Sequence, residues 1–455
     1  MNTRKVHVIM ASLCAALAMM PACSYSLTLQ EAVLSASLYD SEISAARNAQ
    51  KAERQKRWQG LAGLLPVISL NGSHSKQDQP NAAYAAGVTR HSFSANLSQP
   101  LFDMSKFATW KRGDAIANYA DVTLMQAEQQ LIANVAEAYF RVIFQREILL
   151  SAINAKEAFA KQLSQTQVAL KVGEGTRLER DEAQANYDKA VADEIAARND
   201  LEDANMVFNR ITGRNADEIQ PIDMACVTRS PVPQDHKALL AKAAQNNLKV
   251  RAALFQLDQA KADVMGAHGA HLPVVTLQAA YGTNWSRAED AKRYDYELGT
   301  TSKTRSSNVG INVSIPLFAG GSQISQSIEA VRRREQGKDL LEDARRKARQ
   351  ESQSAWLKLK NGKSQYLAEK KALASAKDKV NSTVYGRKVG LRTIIDVLNA
   401  EQGYYKTLQE LAKIQYDYLN AGLKLSMELG ELDYSTLNQF QCPANSSQQS
   451  TKQGR

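Results

Sequence analysis

The chain is written twice, which restricts it to a fold built from two like halves. Leu65-Pro66-Val67 is answered by Leu272-Pro273-Val274, 207 positions on, within GLLPVISLNGSHS (63–75) and AHLPVVTLQAAYG (270–282). NLSQPLF (96–102) is answered by NVSIPLF (312–318), Val172 to Thr176 by Val389 to Thr393, and Asn209 to Gly213 by Ser426 to Gly430. These three matches lie 216–217 positions apart, so the second copy has the longer segment between its strands. One long repeat made twice is a duplicated fold, not a short-period solenoid.

Both copies keep the same internal order. Apolar residues three and four apart predict a helix near 29–62 and another near 237–267, ended by Pro66 and Pro273. Two alternating segments follow in each copy, near 66–76 and 90–100, then near 273–285 and 306–316. Val309, Ile311, Val313 and Ile315 fall on one side, Asn308, Gly310, Asn312 and Ser314 on the other, the period of a membrane-crossing strand. Loops near 76–90 and 286–305 are polar and rich in small residues. Pro100 and Pro316, each followed by Leu-Phe, suit a barrel-to-helix junction, because proline cannot extend a sheet ladder. Phe102 and Phe318 then fall where an interfacial aromatic is favoured.

Helices near 103–171 and 322–388 come next, without proline, each able to reach roughly 100 Å at ~1.5 Å per residue. Helices that long are stable only beside others. A short glycine turn (Gly173 to Gly175; Gly390) precedes a returning helix that ends at Gly213 or Gly430, both suited to C-terminal capping. The predicted organisation is a signal segment 1–26, a first repeat 27–213, a linker 214–236, a second repeat 237–430 and a C-terminal segment 431–455 with a disordered polar tail.

Arg4 and Lys5 followed by a short apolar stretch, Val8 to Met20, predict a secretory signal. Cleavage after Ser26 and cleavage before Cys23, with lipidation, are both open. No later apolar run approaches ~18 residues, so an exported chain of this kind is either soluble or crosses a membrane as strands. The net charge of +10 does not imply nucleic acid, because Lys and Arg alternate with Glu and Asp along helical stretches. Cys226 and Cys442 follow Gly213 and Gly430 at nearly equal distances, so they are either a disulfide between copy ends or two free thiols.

Four strands cannot close a barrel. Unpaired backbone groups in lipid cost several kcal/mol each, and barrels begin at about eight strands. Subunits must therefore share one: a dimer supplies eight strands, a trimer twelve.

The tip segment VGLRTIIDVLNAEQ (389–402), with the duplicated helix, strand pair and helical hairpin, resembles the TolC family of outer-membrane efflux and secretion channels over nearly the whole mature chain. The resemblance implies a mainly α fold with a transmembrane β portion: a homotrimer whose twelve-stranded barrel continues into an α-helical periplasmic tunnel. It implies location in the outer membrane and work with a periplasmic adaptor and an inner-membrane ABC or proton-driven transporter. By the same resemblance Asp396 lines the pore constriction, beside Asn399 where relatives often have a second aspartate. Arg392 matches a tip-closing arginine whose partner position is Glu179, and Arg387 stands where the family's closing network has a tyrosine. Arg392 and Asp396, four apart, share a helix face, and copies of Asp396 around an axis form an anionic ring.

No HExxH, CxxC, GxSxG or Walker motif is present, so neither enzyme chemistry nor a cofactor is expected. His268 and His271 lack a third ligand, and Gly173-Glu174-Gly175 joins two helices, unlike a phosphate loop. Type I protein secretion is the expected role. Drug efflux is the alternative within the family, and a periplasmic coiled-coil adaptor is the alternative outside it.

Overall fold

The structure is a computed structural model that describes residues 27–78, 87–229, 231–289 and 301–440. The signal segment with Cys23, most of the two strand-connecting loops, and Cys442 with the polar tail lie outside the described residues.

The first copy runs α1 (Leu29–Tyr39), α2 (Ser41–Ala62), β1 (Val67–Asp78), β2 (Gly87–Phe102), α3 (Met104–Lys171) and α4 (Arg177–Thr212). A short turn of helix, α5 (Met224–Val227), lies between the copies. The second runs α6 (His236–Asn246), α7 (Leu248–Gly269), β3 (Val274–Ala288), β4 (Ser302–Ser314), α8 (Ser322–Lys388) and α9 (Ile394–Glu428).

Each expected opening helix is two. The first breaks at Asp40, whose Oδ1 accepts from the amides of Glu42 and Ile43. The second breaks at Asn247, whose Oδ1 accepts from the Lys249 amide. Both side chains supply acceptors to a new helix start, and that local bond competes with helix continuation. A 3.6-residue period does not register such a break, because the apolar stripe resumes on the other side.

The four described strands form one antiparallel sheet in the order β1-β2-β3-β4, so the copies join at β2–β3 and both edges are free. Its register sorts the faces. Ile68, Leu97, Ala279 and Val309 lie in one row across the sheet, and Ser69, Asn96, Ala280 and Asn308 in the next. Successive rows point to opposite sides, so one face is apolar and the other polar. Ile68 and Val309 are 72% and 75% exposed.

Residues 44–128 with 237–351 form one compact unit. There α2 and α3 touch backbone to backbone. A Cβ on Gly113 would lie 2.3 Å from the Lys56 carbonyl oxygen, and one on Gly60 2.7 Å from the Cα of Trp110. Only glycine permits that approach. Val250 and Leu257 of α7 pack on Leu341 and Ala348 of α8.

Residues 27–43, 129–236 and 352–440 belong to the other unit. Leu27 pairs in parallel with Ile219, and the buried Tyr139 hydroxyl donates to the carbonyls of Leu27 and Gln220 at 3.0 and 2.8 Å. Desolvation raises the Tyr139 phenol well above its ordinary pKa. Along α4 the buried residues Ala183, Ala190, Ala197, Ala204 and Ile211 recur every seven positions. That is the seam of a coiled coil, lined with side chains small enough for close helix contact. Cys226 is disulfide-bonded.

Candidate functional site

The residues singled out from the tip motif gather where the long helices turn. Each turn is set by a glycine with positive φ: Gly173 at 81° and Gly390 at 80°. The Gly173 amide donates to Leu170 O and the Glu174 amide to Ala169 O; Gly390 donates to Arg387 O and Leu391 to Gly386 O. This paired pattern satisfies the last carbonyls of α3 and α8.

The returning helices begin identically. In α4 the Thr176 hydroxyl accepts from the Glu179 amide at 3.2 Å, while Glu179 Oε2 accepts from the Thr176 amide at 2.8 Å. In α9 the Thr393 hydroxyl accepts from the Asp396 amide at 3.2 Å, and Asp396 Oδ2 accepts from the Thr393 amide at 2.9 Å. Both are capping boxes, in which two otherwise orphaned amides are satisfied reciprocally. Glu179 and Asp396, assigned different roles by the resemblance, are thus equivalent positions of the repeat. The Thr-x-x-Glu and Thr-x-x-Asp spacing was the sequence signal for it.

Asp396 is held below the usual aspartate pKa by the backbone bond from Thr393, then by the Thr393 hydroxyl, with a smaller contribution from Arg392. It is ionised throughout the physiological range. Asn399 is exposed on the same helix. Arg392 is exposed, and its side chain crosses Gly386, where an added Cβ would lie 2.9 Å from the arginine Cγ. Within the single chain no ion pair joins Arg392 to Glu179 among the described residues.

Beneath the turns lies a cluster that was not among the expected site residues. Phe159 and Leu163 of α3, Ala183 of α4, and Ile394, Val397 and Leu398 of α9 form a buried apolar core. At its border Arg387 Nη1 donates to the side-chain oxygens of Gln162 and Gln165, at 3.1 and 3.3 Å. Gln162 in turn donates to Glu401 Oε1 at 3.4 Å. The other oxygen of Glu401 is buried without a hydrogen-bond partner. Burial raises the Glu401 pKa, opposed by the Gln162 bond and the Arg387 charge. Burial, with Glu401 next in size, pushes the Tyr405 phenol up to about 12.

The expected junction prolines take two kinds of place. Pro66 and Pro273 sit one residue before β1 and β3, and Pro316 lies two residues past the end of β4. Pro100 lies within β2, which continues to Phe102 through an irregularity between Pro100 and Phe102. There β2 has already passed its last partner on β1, Val67 opposite Ser98, and is bonded on one side only. A strand open on one side tolerates the missing amide. No group of three or more metal-ligating side chains occurs among the described residues.

The sequence profile described as "Outer membrane efflux protein" matches residues 35–214 and 239–431. The chain is 31% identical to outer membrane protein TolC of Escherichia coli over 409 residues, covering 88% of this chain and 82% of that protein. It is 28% identical to the alkaline protease secretion protein AprF of Pseudomonas aeruginosa over 415 residues, covering 88% and 83%. Among solved structures, the outer membrane protein VceC of Vibrio cholerae superposes with a TM-score of 0.75 at 16% identity, over 88% of this chain and 96% of that one.

Proposed function

Because the chain belongs to the outer membrane efflux protein family, we propose that it is the outer-membrane conduit of a type I protein-secretion system. It is a channel protein of the outer membrane, not an enzyme, with the fold of the trimeric TolC-like channels. One observation carries the transport role: a four-stranded sheet with two free edges and one exposed apolar face. Such a sheet is stable in lipid only when its edges are closed by other subunits, and three copies supply twelve strands. The long helices then extend the barrel as a periplasmic tunnel, whose tips meet an adaptor and an inner-membrane ABC transporter.

The likeness to a relative named for protease secretion, spanning most of both chains, favours protein export. A second reading, drug efflux with a proton-driven pump, rests on the name of the family itself. Complementation separates them. In a strain lacking its own channel but retaining an ABC exporter and adaptor, the chain should restore appearance of the exported protein in the medium. Restored drug tolerance without protein export would favour the second reading.

At the tips, three copies of Asp396 would form an anionic constriction with Asn399 on the same helix. Arg392 would close the tip against Glu179 of a neighbouring hairpin, weakly because the pair is solvated. Glu179 Oε2 is already engaged in its own helix cap, so the latch would use the other oxygen. Asp396→Asn keeps a capping acceptor and removes the charge. In planar bilayers it should reduce cation selectivity, and unchanged selectivity would remove the ring. Arg392→Ala should raise resting conductance, and a channel as tightly closed as the parent would remove the latch.

A further inference from the structure

The duplication carries more than ancestry: it fixes how one subunit's sheet meets the next. The junction between the copies, β2 against β3, is a complete example of second strand meeting first strand. In a closed assembly the junction between subunits is the same event, β4 against β1 of the partner subunit.

We infer that the register within the chain is repeated between chains. Inside the chain Asn96 is opposite Ala280 and Ala95 opposite Tyr281. Moving β2 positions on by 216 and β3 positions back by 207, the offsets of the matched segments, gives the intersubunit pairs. Asn312 meets Ser73 of the partner subunit, and Ile311 meets the partner's His74.

Two observations not used in that transfer support it. The first is parity. A register slip of one residue turns every side chain to the opposite face. In the transferred register, outward Val313 meets the partner's outward Gly72, and inward Asn312 meets the partner's inward Ser73, so both faces continue across the seam.

The second is a difference between the copies. Pro100-Leu101-Phe102 is strand, with Phe102 opposite Val275. The identical Pro316-Leu317-Phe318 is not strand, and Leu317 and Phe318 are 93% and 85% exposed. By the same transfer, Phe318 belongs opposite Ile68 of the partner subunit. The segment 315–318 is thus strand-competent sequence without its partner, and it joins the sheet on assembly.

This inference rests on the multisubunit barrel proposed above, and the test separates the two. Full-length chains carrying Asn312→Cys with Ser73→Cys, or Ile311→Cys with His74→Cys, are oxidised in outer membranes. Two adjacent pairs are used because neighbouring positions alternate between hydrogen-bonded and non-hydrogen-bonded geometry. Both spacings fall within disulfide reach, whereas a two-residue offset exceeds it. Both pairs should give covalent multimers on non-reducing gels, at several times the yield of Asn312→Cys with Ser75→Cys or with Asn71→Cys. Faster linkage by an offset pair overturns the register. Linkage by none, while native mass in detergent still shows a trimer, overturns edge pairing and leaves the trimer standing. A monomer by native mass overturns both.

Discussion

The same three residues, Pro-Leu-Phe, end the second strand of each copy, yet only the first copy folds them into sheet. Pro100 to Phe102 lies beside β3; Pro316 to Phe318 pairs with no strand among the described residues. With the local sequence held constant, the presence of a partner strand decides the outcome. The tips show the converse. Both returning helices start with the same capping box, but the faces beyond differ. Where α9 buries Ile394, Val397 and Leu398, the equivalent positions of α4 are Arg177, Arg180 and Asp181. Equal local chemistry there supports one helix start that is packed into a core and another that is solvated.

The largest effects should come where the copies are most alike. Val313 and its equivalent Leu97 both lie on the apolar face of the sheet, in the rows of Val275 and Ala279. Val313→Lys and Leu97→Lys should each destabilise the barrel by about 2–4 kcal/mol if they sit near the bilayer midplane. Urea unfolding in lipid vesicles measures the loss. A large cost at Leu97 with none at Val313 would break the equivalence of the two copies, and with it the placement of β4 in lipid.

The caps sharpen the comparison at the tips. Thr176→Ala and Thr393→Ala each remove a capping acceptor, worth about 1 kcal/mol. The loss should be felt further at Thr393, because the first turn it holds inserts Ile394 into the buried cluster, whereas the first turn of α4 faces solvent. Hydrogen exchange at the first-turn amides of each helix reads this out. Equal deprotection in both variants, confined to the caps, would mean that the apolar contacts alone hold α9.

Much of this architecture was legible because its signals are local and occur twice. The long helices, the glycine turns and the alternating strands each carry their own period or punctuation. The helix breaks at Asp40 and Asn247 were hidden because a single side chain making one capping bond interrupts a stripe without changing its spacing. Strand continuation through Pro100 was hidden for a different reason: it depends on which neighbours β2 has at that point, and neighbours are a tertiary fact. The tip residues Asp396 and Glu179 were legible through resemblance, but their shared cap was overlooked although Thr-x-x-Glu/Asp announces it. Glu401 was missed altogether. Its signal was present: positions 394, 397, 398, 401 and 405 form one stripe along α9, and a carboxylate in the middle of an apolar seam marks a buried charge.

Glu401 also supplies the smallest test, and one the first copy cannot match, since its equivalent position is Gln184. Burial raises the Glu401 pKa, so between the ordinary glutamate value and that raised value the native tip binds more protons than the unfolded chain. Its contribution is complete below the ordinary value and is lost as pH rises through the raised one. Above that, the ionised carboxylate is a standing penalty, with one oxygen lacking a hydrogen-bond partner. Glu401→Gln, which places in the second copy the residue the first already has, removes the charge and keeps an acceptor for Gln162. Thermal melting should show the variant more stable than the parent at neutral pH, with the gap narrowing as pH falls. The same variant should leave Asp396-dependent cation selectivity unchanged, because its effect is confined to the packing beneath the tip. A gap that stays constant with pH would mean that Glu401 titrates alike in the folded and unfolded chain, so that the Gln162 bond and the Arg387 charge fully offset its burial.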